Sequence, residues 1–209
     1  ALQAYWGVLF CTVFGFSFTV LRASTQITLL IAAWGASISA KAAGLDRTKS
    51  LLLGVVFLAN PIVMNLGYTF MTDVPFLAVA HLALYLFIRA YQTPTVKLIL
   101  AASALAALSY FVRQFGLLIP VAYAASLAIL LLRGKTKFDR RHAAALAGPW
   151  FIVWLILIAL PDSAGGTTTQ FDWNSIGQSI FARIINGLKH WTTSLVYLSL
   201  FLAPVMVLV

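Results

Sequence analysis

Long apolar runs set the first limit on what this chain can fold into. Leu98 to Val112, Leu117 to Leu132 and Gly148 to Leu160 each pass without a single charged residue. A helix that crosses hydrocarbon needs about 20 mainly apolar residues, and only helices and closed barrels satisfy their backbone there. Barrel strands would read as segments of roughly ten residues alternating in polarity, and that alternation is missing. The fold class that follows is all-α, a polytopic transmembrane helical bundle. Composition agrees: 62% of the 209 residues are hydrophobic and 9% charged, with a mean hydropathy of +0.96. A soluble domain carries about a quarter charged residues. A soluble globular enzyme, a disordered tail and a disulfide-stapled module are excluded. The lone Cys11 also excludes an internal disulfide and a CxxC metal site.

Seven spans are predicted, at 23–41, 49–67, 74–91, 96–112, 116–133, 142–160 and 191–209. Residues 5–21 are apolar and aromatic, but Arg22 follows with almost no loop, so an N-terminal interfacial helix fits better than an eighth span. Pro61, Pro120, Pro149 and Pro204 fall inside spans or near their ends, where neighbours can satisfy the freed carbonyls. Residues 161–190 form the one long hydrophilic connection, with Gly165-Gly166 and Thr167-Thr168-Thr169. Within it Ile176, Ile180, Ile184, Ile185 and Leu188 recur at helical spacing and predict a short interfacial helix, with Asp172 or Asn174 near its start. No internal repeat is visible. The chain lacks an initiator Met and a signal peptide and ends inside an apolar run. It reads as an internal fragment of a longer protein, a single membrane domain over 1–209.

The formal charge is +9, from 14 Lys and Arg against 5 Asp and no Glu. If the spans alternate, Lys41, Arg47, Lys49, Arg89, Lys97, Arg133, Lys135, Lys137, Arg140 and Arg141 share one side, and only Arg22, Arg113, Arg183 and Lys189 take the other. The basic side is then cytoplasmic. The positive charge belongs to loops at a membrane, and no nucleic-acid partner is implied.

Three features on the opposite, outer side invite chemistry. The first is Tyr68 to Pro75. Asp73 is the only acidic residue between Asp46 and Asp139 and stands at the mouth of a span. Thr72 or Asp73 capping the helix, with Pro75 in the first turn, is one reading. A carboxylate that binds a cation or a substrate hydroxyl is the other. The second is Arg113-Gln114, which the same alternation brings to the face of Asp73. An outer Arg can snorkel to headgroups, or it can clamp an anion, since a planar guanidinium suits a pair of phosphate oxygens. Gln114 can add donors. The third is His190-Trp191, beside Arg183 and Lys189. Trp at an interface is ordinary belt behaviour, and His190 has no visible partner. His81, inside the third span, reads as a hydrogen-bonded interior residue, and His142 carries no signal. No HExxH, Walker loop, GxSxG or GxGxxG occurs.

In order along the chain, Tyr5-Trp6, Phe14-Gly15-Phe16-Ser17, Leu21-Arg22, Asn60-Pro61, Tyr68 to Pro75, Leu82-Ala83-Leu84-Tyr85 and Arg113-Gln114 to Pro120 resemble a known family. It is the GT-C class of polyprenyl-phosphate-sugar-dependent glycosyltransferases. Within it the likeness is to bacterial members of the dolichyl-phosphate-mannose protein mannosyltransferase superfamily, glycosyltransferase family 39 and its relatives. The resemblance covers roughly the first 130 residues. It implies inverting transfer of a hexosyl or pentosyl unit from a polyprenyl-phosphate-linked sugar donor to an acceptor on the periplasmic or lumenal side. A carboxylate in the first outer loop acts as base, and a second acid at a later span holds the donor phosphate, often through a divalent cation. Asp73 matches that second position and is the expected metal residue. Arg113 matches a basic residue facing the donor phosphate, with Gln114 beside it and Tyr68, Thr72 and His190 in support. The first span and catalytic loop should precede Ala1, so no catalytic residue is expected here and the fragment alone should be inactive. The partners implied are the lipid-linked donor, membrane lipids and an unspecified acceptor, in a bacterial inner membrane. Two alternatives stand beside this reading. A secondary transporter or flippase subunit would use Asp73 and Arg113 as an ion and anion site. A scaffold would use Asp73 only as a cap.

Overall fold

The computed structural model describes residues 2–134 and 139–159. The expected seventh span, the 161–190 connection with its interfacial helix, and His190 lie outside the described residues. Among those described there are eight α-helices: α1 (Leu2–Phe14), α2 (Phe18–Ala42), α3 (Arg47–Ala59), α4 (Pro61–Gly67), α5 (Asp73–Gln92), α6 (Val96–Val112), α7 (Leu118–Leu132) and α8 (Arg140–Ala159). A 3-10 turn, Gln114–Leu117, joins α6 to α7, and no strand is present among these residues. Contacts divide the chain after Leu155, and Ala1–Leu155 is one compact unit. Of the second unit only the last turn of α8 is described.

Local chemistry sets the helix boundaries. Gly15 has φ of +81°, a left-handed conformation that only glycine adopts freely. The segment expected as one helix over 5–21 is therefore two pieces, α1 and the first turn of α2. Ser17 caps α2, its hydroxyl accepting from Thr19 N at 3.2 Å, so α2 starts five residues before the expected boundary. At 13 residues, α1 is about 20 Å long at 1.5 Å per residue, too short to cross hydrocarbon.

The expected span 49–67 is broken. α3 and α4 meet at a bend of 64°. Pro61 has no N–H to continue the α3 ladder, and Asn60, almost fully buried, restarts the helix by accepting from Ile62 N at 3.0 Å and Val63 N at 3.3 Å. Three helices are individually long and apolar enough to cross a membrane: Asp73–Gln92, Gln114–Leu132 and Arg140–Ile158. The bent pair makes a fourth if counted as one span. Seven spans are thus not seen among the described residues. α6 falls just short in length at 17 residues. α2 is long, at 25 residues, but its buried face carries Ser24, Thr25, Thr28 and Ser39. Their hydroxyls donate to carbonyls of their own helix, Ser24 to Leu21 O at 2.7 Å and Ser39 to Gly35 O at 2.7 Å, so burial leaves them satisfied.

The packed centre is α2 against α5 and α5 against α6. Its residues are small: Ala32 and Ala36 on α2, Ala78, Ala83 and Ala90 on α5, Ala102, Ser103 and Ala106 on α6, all buried. In lipid no hydrophobic push separates helix from tail, so association rests on close van der Waals fit and interhelical hydrogen bonds. Both occur here. A Cβ on Gly35 would lie 2.9 Å from the His81 Cβ. Ser39 Oγ reaches across to His81 O at 3.1 Å, and Ser103 Oγ ties α6 to α8 through Leu146 O at 2.6 Å. The outer shell reverses this pattern: Leu118, Val121 and Leu132 on α7 and Phe151, Ile152 and Trp154 on α8 are exposed, as lipid-facing side chains should be.

Candidate functional site

α5 runs away from Asp73, a short connection over 93–95 turns the chain, and α6 returns to Arg113. The two residues stand 40 apart in sequence, and Arg113 Nη1 donates directly to Asp73 Oδ1. It is the only ion pair among the described residues. Neither side chain is deeply buried, Arg113 being 39% and Asp73 28% exposed.

Each partner is placed by its own local structure. Gln26 Nε2 on α2 donates to Gly67 O at 2.7 Å, pinning the end of α4. A Cβ on Gly67 would lie 2.7 Å from Leu29 Cδ2, so this approach requires glycine or movement of that leucine. The chain then turns through Tyr68, whose N–H bonds Asn65 O, and Thr69, whose hydroxyl bonds Leu66 O at 2.8 Å. Asp73 opens α5, Val74 is fully buried, and Pro75 sits in the first turn, where its missing N–H leaves no bond unmade. On the other side Arg113 is extended, with φ −147° and ψ 138°, and ends α6. Its N–H still bonds Ser109 O at 2.8 Å, and its carbonyl accepts from Gly116 N at 3.0 Å to close the 3-10 turn. Gly116 is buried against α6: a Cβ there would lie 2.5 Å from Tyr110 N and would also meet Ser109 Oγ. The Phe115 ring lies 5.9 Å from the Arg113 guanidinium carbon, within cation–π range.

The capping reading of Asp73 is not what the geometry gives. Thr72 holds the N-cap position without a side-chain cap bond, and the Asp73 carboxylate meets Arg113 instead. Near a helix N-terminus a carboxylate is also favoured by the backbone dipole. Gln114 follows Arg113 and is exposed. Tyr68 is exposed and Thr72 half-buried, and neither makes a side-chain hydrogen bond among the described residues. His81 sits edge-to-face on Phe57 at 5.4 Å within the α2–α5 packing, away from the pair. Phe115, Gly116 and Gln26 were not signalled by sequence. In a chain with 15 Phe and 13 Gly, only the position of Gly116 two residues past Arg113-Gln114 could have suggested a turn.

An apolar groove of about 720 Å³ opens between α5 and α7. Phe115 lines one end and Tyr91 and Ser126 the other, with Leu84, Ile88 and Ile119 between. From Phe76 to Tyr91 it follows α5 for about 22 Å at 1.5 Å per residue. Tyr123 also lines it. This residue is 5% exposed, its ring lies 4.6 Å from that of Phe87, and its hydroxyl has no hydrogen-bond partner among the described residues. A buried hydroxyl without a partner is costly and asks for one.

A divalent cation does not find a ligand set here. Among the described residues no three His, Cys, Asp or Glu side chains cluster. Asp73 offers one carboxylate, and Arg113 already occupies an oxygen of it.

Fold and site together define an all-helical membrane protein with a paired acid and guanidinium at one end and an apolar groove beside them. The family model of dolichyl-phosphate-mannose-protein mannosyltransferases matches residues 2–160. The chain belongs to that family of GT-C membrane glycosyltransferases. Comparison with curated proteins and with solved structures gives no match.

Proposed function

We propose that this protein moves a sugar from a polyprenyl-phosphate carrier to an acceptor on the outer side of the membrane, and that Arg113, positioned by Asp73, holds the donor phosphate. The carrying observation is the ion pair itself, which joins the first residue of α5 to the residue that ends α6. Family membership supports glycosyl transfer; the site residues and their roles are this reading's own.

The chemistry is that of a displacement. The acceptor oxygen attacks the anomeric carbon, the carbon–oxygen bond to phosphate breaks, and the carrier phosphate leaves with the bonding pair. The acceptor proton passes to a base that no described residue supplies. A phosphate leaving group needs little acid catalysis, so the main demand is stabilisation of the charge it gains. Arg113 meets that demand. One guanidinium N–H donates to Asp73, and its remaining donors match a phosphate oxygen pair. Asp73 is a positioning residue, holding the guanidinium from one side while the Phe115 ring holds it from another. The α5–α7 groove, which Phe115 also lines, takes the polyprenyl chain. Its length and apolar walls suit an isoprenoid better than a soluble nucleotide.

The transporter alternative called for broken helices at mid-membrane. The one bent pair is accounted for by Asn60 and Pro61 without an ion site. The test of the proposal is a transfer assay on the full-length enzyme with Arg113→Ala and Asp73→Asn. Loss of transfer in a folded protein supports it; full transfer in both variants removes the donor-phosphate assignment.

A further inference from the structure

At the opposite end of α5 lies a second cleft, of about 580 Å³, between the ends of α2 and α5. Ile38, Lys41, Tyr85, Arg89, Gln92 and Thr93 line it. Arg89 is 16 positions from Asp73, about 24 Å along the helix at 1.5 Å per residue, so this cleft is separate from the site above.

Its charge is one-sided. Two helices end here, and unsatisfied terminal carbonyls would ordinarily give the cleft acceptors and negative potential. On the α2 side these carbonyls are taken. Ser39 O accepts from Ala43 N at 2.9 Å, Ala40 O from Leu45 N at 3.1 Å, and Lys41 O from Gly44 N at 3.1 Å. Gly44, at φ +107°, makes that closing turn. Ala42 O accepts from Gln92 Nε2 at 2.5 Å, and Arg89 O accepts from both the N–H and the hydroxyl of Thr93, at 2.9 and 3.1 Å. The donors are not taken. Lys41 has no acceptor among the described residues, and Arg89 reaches only the Tyr85 hydroxyl at 3.4 Å. No carboxylate lines the cleft. Two cations and a phenol therefore face a cavity that holds no carboxylate and whose α2 carbonyls are already satisfied, with Ile38 supplying an apolar wall.

From these two cations without a facing carboxylate we infer that the α2–α5 cleft binds a phosphate group, that of an anionic phospholipid seated in the leaflet at this end of the bundle. Basic pockets between transmembrane helices take such headgroups, and Arg89 with Lys41 provides a fork and a point charge for one phosphate. The same chemistry would accept a soluble phosphate, and the experiment separates the two sources.

The full-length protein is placed in nanodiscs of phosphatidylcholine with a titrated fraction of phosphatidylglycerol, and bound phosphatidylglycerol is counted by native mass spectrometry. The variants are Lys41→Ala with Arg89→Ala and, as a charge-matched control, Arg47→Ala with Lys49→Ala, an exposed basic pair at the start of α3 that does not line the cleft. The cleft pair should lose about 30-fold in affinity, with the control, which does not contact the seated headgroup, near wild type. Inorganic phosphate at millimolar concentration is the second arm. No competition assigns the site to the lipid, whereas displacement assigns the same cleft to a soluble phosphate and overturns the lipid part. Equal losses in both pairs, or none in either, overturn the site as a whole. If the double variant does not fold, Lys41→Gln and Arg89→Gln are read singly, each expected to lose about fivefold.

Discussion

The two ends of α5 answer the same problem, charge at a membrane boundary, in opposite ways. At one end a single Asp and a single Arg meet, and the local charge sums to zero. At the other, Lys41 and Arg89 share a cleft with no acid at all. A compensated guanidinium is held in one orientation by its partners and can present its remaining donors to a reacting group. An uncompensated pair of cations is a sink for whatever anion the bilayer or solvent supplies. Orientation is what group transfer needs, and that is why the paired end, and not the more basic end, is the candidate for chemistry.

The largest expected effect is at the paired end. Arg113→Ala should lower transfer by the full-length enzyme about 100-fold or more, the cost typical of removing a donor from developing charge. Steady-state kinetics should show the loss mainly in kcat/KM, with Arg113→Lys between the two because a point charge replaces a fork. Next is Gly116→Ala. The added Cβ would sit 2.5 Å from Tyr110 N, and backbone must shift to admit it. Overpacking of this kind costs about 1–3 kcal/mol. A melting curve should show that loss, and transfer should fall with it because the same turn carries Arg113.

Asp73→Asn comes third. It leaves the guanidinium in place but loosens it, and transfer should fall about tenfold, or 1.4 kcal/mol. Thermal stability should barely change, since a part-exposed ion pair is worth at most about 1 kcal/mol. A large loss of stability with normal transfer would return Asp73 to a structural role. The smallest effect is Tyr123→Phe. Removing a buried hydroxyl that bonds nothing among the described residues should raise stability, by about 1 kcal/mol. If that hydroxyl meets the donor in the groove, the donor KM should rise a few-fold with kcat unchanged.

The all-α class and the placing of Asp73 and Arg113 on one face were legible in the chain for one physical reason; that the two pair directly was not. Charge in an apolar run is expensive, so each exception stands out, and strict alternation of helices puts the two on one face. What surrounds them was not legible. Phe115 is one aromatic among many, Tyr123 looks like any interfacial tyrosine, and nothing local marks Gly116 as the residue that lets the turn close on α6. The seven spans are not confirmed, and helix length and hydropathy account for three or four among the described residues. α2 is polar where it is buried because Ser and Thr bond its own carbonyls, and α3 and α4 read as one apolar run although Asn60 restarts the helix. The α2–α5 cleft was hidden for a related reason. Sequence shows the bases but not that they share one cleft, or that the carbonyls ending α2 are already taken.

The most direct test compares the two ends with one ligand. Binding of polyprenyl phosphate to the full-length protein would be measured for wild type, Arg113→Ala, and Lys41→Ala with Arg89→Ala. A loss of about tenfold or more in Arg113→Ala alone is the expected result. Unchanged binding in Arg113→Ala, or a loss only in the Lys41 and Arg89 variant, would contradict the assignment of the donor phosphate to Arg113.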